Sequence, residues 1–209
     1  MYNTLLVFAS LVAAIASVGS QDSSSSGSPV EAWRTVILPQ AFYLVYRSFE
    51  NDPALGGNGR CVSIQLTHAN EATKTTESIM KYWDPETNQM RENNVRGKVD
   101  PPDGDTIQMS NAEGGDPWKT DHKFVYSDYN TCDVVVVLET KEKKCELWVK
   151  DGYQQLAEVN TEAVASRDDP SVSHNIAKCK EEYEKQCRGQ KKYQIYEKAT
   201  CSSLTESSK

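Results

Sequence analysis

The chain is poor in everything a metal or nucleotide enzyme would need. Its 209 residues hold three histidines, His68, His122 and His174, scattered along the sequence, and its six cysteines include no C-x-x-C pair. A zinc site wants several such ligands at short spacing, so no metal is expected. There is no glycine-rich phosphate loop, no internal repeat and no nucleophile–base constellation, and hence no cofactor or enzymatic activity is expected. Positive charge is also short: 23 Lys and Arg face 30 Asp and Glu, for a net charge of -7. That balance argues against nucleic acid or an anionic membrane surface as partner and suits small cations.

The first twenty residues, "MYNTLLVFASLVAAIASVGS", carry no charge at all and end in small residues. They are too short for a comfortable membrane span and read as a secretory signal peptide over residues 1–20. A serine-rich leader over 21–30 and one folded domain over 31–209 follow. All six cysteines lie after the leader, as three disulfides in an oxidising, extracellular compartment require.

What is abundant is strand-like sequence. "AFYLVYRSF" (41–49) is aromatic and β-branched, and "CVSIQLTH" (61–68) alternates, with Val62, Ile64 and Leu66 on one face. "TESIMKYWD", segments near Val95–Val99 and Thr106–Ser110, "KFVYSD", "CDVVVVLE" and "CELWV" continue the series between turn signals. One segment differs: in "DDPSVSHNIAKCKEEYEKQCRG", Ile176, Cys179, Tyr183 and Cys187 recur at helical spacing. Ser171 or Ser173 is expected to cap this helix and Gly189 to end it. An all-β fold with one α-helix follows: an eight-stranded antiparallel barrel with the helix packed on its outside.

The stretch "KKCELWVK" sets a problem, because alternation puts Glu146 on the same face as Trp148. If the helix cysteines meet Cys132 and Cys145 outside the barrel, then Asp133, Val135 and Val137 point inward, as do Glu146 and Trp148. An enclosed carboxylate must take up a proton or meet a cation, and no Lys or Arg on these faces supplies one. A twisted or edge-like strand would instead leave Glu146 at the rim in water.

At these residues the chain resembles the tick salivary histamine-binding lipocalins, including members that bind serotonin as well as histamine. The resemblance rests on Ala32-Trp33, "NDP" at Asn51–Pro53, "YSD" at Tyr126–Asp128 and "CDVVVV" at Cys132–Val137. "ELW" at Glu146–Trp148, the helix around Cys179 and the closing Cys201 complete it. It implies a lipocalin-like barrel with disulfides Cys61–Cys201 and Cys132–Cys179, leaving Cys145–Cys187. It further implies two internal amine sites. Asp52 and Glu146 match the carboxylates of one, with Phe49, Leu55 and Trp118 at positions of its aromatic wall. Asp133, Trp148 and Thr35 match the second, to which Glu92 is assigned, although Asn93 or Asn94 would align as well. Leu55 replaces a tryptophan, and the acidic residue expected after Trp33 is absent, changes that would suit a larger monocation with an indole ring.

The function expected is therefore that of a secreted, monomeric scavenger that sequesters histamine and serotonin and suppresses host inflammation at a feeding site. The alternative is a lipocalin that holds a lipid mediator or blocks a host protein through its loops. Because enclosure raises carboxylate pKa values, amine affinity is expected to fall as pH drops from about 6 to 4.

Overall fold

The computed structural model describes residues 29–99, 104–112, 119–138, 142–158 and 170–207. The signal segment, residues 21–28 of the leader and Trp118 lie outside the described residues. A short helix, α1 (Ala32–Val36), leads into eight antiparallel strands: β1 (Phe42–Arg47), β2 (Arg60–Asn70), β3 (Thr75–Asp84), β4 (Gln89–Val99), β5 (Thr106–Asn111), β6 (Lys119–Ser127), β7 (Cys132–Val137) and β8 (Lys144–Lys150). Consecutive strands pair as neighbours, and β1 bonds to both β8 and β2, which closes the barrel. The second helix, α2 (Pro170–Gln186), packs on β7 and β8, and β9 (Tyr193–Gln194) adds to the edge of β1. The C-terminal helix α3 (Lys198–Ser207) completes the order, so the described residues hold two α-helices and a short 3-10 helix (Gln154–Ala157) beyond the one helix that periodicity predicts. Among the described residues no helix is long and apolar enough to cross a membrane.

Two faces of the sheet make two cores. Val62, Met80, Val95, Ile107, Phe124, Val135 and Trp148 meet in the lumen. Val134, Val136, Leu147 and Val149 point the other way and are covered by Val172, Ile176 and Tyr183 of α2. This explains why β7 is buried at every position: it has the lumen on one side and a helix on the other. The described part of α2 begins at Pro170, so Ser171 and Ser173 lie within the helix and not ahead of it. Proline suits a first helical position, where no N–H is needed. Gly189 follows the helix in the left-handed region, with φ of 73°.

Three disulfides fasten these layers: Cys61–Cys201, Cys132–Cys179 and Cys145–Cys187. They are the pairs implied by the resemblance. Two tie α2 to the outward faces of β7 and β8, and the third ties β2 to α3. Since Cys132 and Cys145 face the helix, their neighbours Asp133 and Glu146 face the lumen.

Candidate functional site

Glu146 is fully enclosed, with no exposed surface. The rim alternative is thereby excluded: the carboxylate stands in the lumen beside Trp148, whose indole Nε1 donates to Glu146 Oε2 at 2.9 Å. The second oxygen, Oε1, has no hydrogen-bond partner among the described residues. Burial first, and then the neighbouring Asp52 carboxyl, push the Glu146 pKa up to about 8. Trp148 and Arg47 pull it back only in part.

Arg47 is the residue that strand alternation missed. Phe42 and Leu44 face the lumen, so simple alternation sends Tyr46 inward and Arg47 out. A β-bulge between Leu44 and Tyr46 reverses this. Val45 and Tyr46 both join the outer core under α2, and Arg47 turns inward, fully buried and in register with Glu146. Its Nη1 lies 3.9 Å from Asp52 Oδ2. Its Nε donates to the Phe49 carbonyl at 3.0 Å, and Nη2 donates to Glu50 at 2.7 Å and Gly57 at 2.5 Å. The guanidinium thus holds the 49–57 loop across the barrel end as well as balancing a carboxylate.

Asp52 serves two purposes at once. Oδ1 accepts from the backbone N–H groups of Ala54 at 2.9 Å and Leu55 at 3.1 Å, an ordinary turn role. Oδ2 has no hydrogen bond and faces the Arg47–Glu146 cluster. The raised pKa leaves Glu146 protonated near neutral pH, which removes the repulsion between the two neighbouring carboxyl groups.

A second polar cluster forms where α1 meets the barrel. Thr35 Oγ1 donates to Ser127 Oγ at 3.1 Å, and the Ser127 hydroxyl in turn bonds Asp133, which is buried and in register with Trp148. Burial pushes Asp133 up to about 7, with Ser127 opposing. Ser127 sits in the "YSD" motif, whose pattern alone did not mark it as a site residue. Asp128 of the same motif accepts from the N–H groups of Asn130, Thr131 and Cys132 and so builds the β6–β7 turn.

Between the clusters lies a cavity of about 100 Å³. Thr35, Asp133, Glu146 and Trp148 line it, joined by the apolar Phe42, Ile107, Phe124 and Val135 and by His122. Leu55 is buried in the lumen core without lining the cavity. One expected position is corrected. Glu92 points out of the barrel, pairing with its cross-strand neighbour Lys81 at 3.4 Å, because Val95, Gly97 and Val99 occupy the inward parity of β4. Asn93, not Glu92, shares that inward parity. Phe49 is half-buried beyond the end of β1, with the cations of Arg47 and Lys144 5.2 and 5.0 Å from its ring, and does not reach the cavity wall. Among the described residues no group of His, Cys, Asp and Glu side chains could hold a metal ion.

The geometry, an apolar barrel with a carboxylate at two levels, agrees with a match to the family described as "Tick histamine binding protein" over residues 20–203. The chain belongs to that family. Its fold is similar to insecticyanin from the tobacco hornworm Manduca sexta, with 9% identity, 83% of this chain and 86% of that one covered, and a TM-score of 0.58. It is also similar to the amine binding protein of Rhodnius prolixus in its tryptamine complex, with 13% identity, 86% and 93% covered, and a TM-score of 0.51. Lobster apocrustacyanin A1 shares 8% identity over 79% and 81% of the two chains, with a TM-score of 0.51. Family and fold together make this a lipocalin-type binding protein for small ligands.

Proposed function

We propose that this chain is a secreted scavenger of small biogenic amines, histamine and serotonin, held in the lumen as monocations, and that it suppresses host inflammation at a feeding site. The observation that carries the reading is Glu146: a carboxylate with no exposure, one oxygen unpartnered, facing an apolar cavity beside an indole. Such a group is costly when ionised alone and is relieved by an ammonium or imidazolium. Asp133, buried, bonded by Ser127 and lining the same cavity at the α1 end, is the second candidate anchor. Trp148, in register with Asp133 and bonded to Glu146, offers an aromatic face to a cation at either. Phe49, Leu55, Thr35 and Trp118 are kept as candidate contacts, whereas Glu92 is not.

Calorimetric titration with histamine, serotonin and a fatty acid tests the reading. Histamine has about 8 non-hydrogen atoms, and at ~1.5 kcal/mol per atom its best affinity is near nanomolar. Both amines binding more weakly than ~10 μM at pH 8 would sink the proposal, and a fatty acid that bound tightly instead would replace it.

A further inference from the structure

Among the described residues around the lumen, the buried polar atoms without a hydrogen-bond partner are Arg47 Nη1, Asp52 Oδ2, Glu146 Oε1, Thr120 Oγ1 and both ring nitrogens of His122. The first three belong to one cluster, in which Arg47 Nη1 faces Asp52 Oδ2 at 3.9 Å and a ligand cation would meet the two carboxylate oxygens. His122 is different. It lies on the inward face of β6 between Thr120 and Phe124, is 2% exposed, and forms part of the cavity wall. A histidine that merely fills a core is expected to hydrogen-bond, because an imidazole always carries at least one N–H that needs an acceptor. Here the ring feels the Thr120 carbonyl, yet neither nitrogen makes a hydrogen bond of ordinary geometry. Burial keeps the ring neutral, with Asp52 pulling the other way. A proton on the nitrogen nearer that carbonyl leaves the other nitrogen as a bare acceptor.

The register gives the spacing. Glu146 is level with Val135, and Val135 with Phe124. His122 is two residues further along β6, about 7 Å up the strand and roughly 10 Å round the wall from the Glu146 backbone. The surface between them, Phe124, Val135 and Ile107, is apolar and suits the ring of a ligand that reaches from one to the other.

We infer that His122 is a specificity-determining contact: a neutral imidazole that accepts a hydrogen bond from a ring hydroxyl of an aryl amine whose ammonium is held at Glu146. This rests on the amine reading above and adds that the hydroxyl, at the end opposite the charge, is recognised. Serotonin and tryptamine differ by that hydroxyl alone, so their affinity ratio reads the contact directly.

The test is titration of both amines into the wild type, His122→Leu and His122→Gln, with the melting temperature of each variant recorded. In the wild type serotonin should bind at least about tenfold more tightly than tryptamine. In His122→Leu the ratio should collapse to about one because serotonin weakens, while tryptamine changes by no more than about threefold. His122→Gln retains a hydrogen-bonding group and should recover part of the preference. A wild-type ratio near one overturns the inference whether or not the variants fold. A preference that survives His122→Leu, or an equal loss for both amines, overturns it as well. Failure of the wild type to bind either amine overturns the amine reading itself, and the His122 assignment with it.

Discussion

Replacing Glu146 by Gln keeps the size and most of the hydrogen bonding of the side chain and removes its charge. Breaking one member of a buried, hydrogen-bonded charge pair costs ~2–5 kcal/mol, so amine binding at this site should weaken by at least ~30-fold. Because the Glu146 pKa stands at about 8, that gap should be widest above pH 8 and should shrink toward pH 6, where wild type and variant are both neutral. Titration at the two pH values measures it, and a gap independent of pH would show that the carboxylate does not hold the cation. Arg47 acts in the opposite sense. Arg47→Met should destabilise the empty protein by about 3–5 kcal/mol, since it strands Asp52 and releases the carbonyls of Phe49, Glu50 and Gly57. Denaturant unfolding reads this directly, and a loss below about 1 kcal/mol would show that the buried pair is not what secures the loop.

Among the elements, α2 owes its place to two disulfides and one apolar stripe. The Cys145–Cys187 bridge spans 42 residues, but Cys132–Cys179 already closes a loop beside it. The loop it adds is therefore only about twenty residues, worth about 3 kcal/mol. Cys145→Ser with Cys187→Ser should lower stability by that amount and leave amine affinity within about twofold, because the cysteines face the helix and the ligand site faces the lumen. Melting and titration of the double variant check both halves. A large loss of affinity would mean that the helix, not the barrel wall, sets the cavity. The β1 bulge is a second element-scale device. The Val45 carbonyl accepts from the N–H groups of Ile195 at 2.9 Å and Tyr196 at 3.1 Å, so the segment after β9 holds open the irregularity that turns Arg47 inward.

For the whole molecule, the enclosed carboxylates couple stability and binding to pH. Glu146 and Asp133 ordinarily titrate at 4.5 and 3.8 and are raised here to about 8 and about 7. The folded, empty barrel thus holds more protons than the unfolded chain across that range. Its stability is largest below it and declines as pH rises through about 7 to 8. Amine affinity should run the other way, rising by up to tenfold per pH unit for each proton released, until the ligand itself loses its charge. The window expected from sequence, about pH 6 to 4, moves up because enclosure is complete. Melting curves of the empty protein from pH 5 to 8.5 should fall with pH and be restored by amine. Calorimetry in buffers of different ionisation enthalpy should show proton release. A flat profile in both would remove the carboxylates from the mechanism.

The strands, the barrel and the inward aim of Asp133, Glu146 and Trp148 could be read from the chain alone, because alternation has a period of two and each outward cysteine fixes the parity of its neighbours. The family motifs added Asp52, whose Oδ1 holds a turn while its Oδ2 faces the buried Arg47. Three things depended on the assembled barrel. Glu92 faces solvent because β4 spends its inward positions on Val95, Gly97 and Val99. That the ring of His122 finds no hydrogen bond among the described residues is visible only in the assembled barrel. Arg47 is inside because distant N–H groups, from Ile195 and Tyr196, stabilise a bulge that local sequence does not announce. Side-chain parity is a local property and is legible residue by residue. A break in parity is decided by whichever part of the chain arrives to bond the displaced backbone.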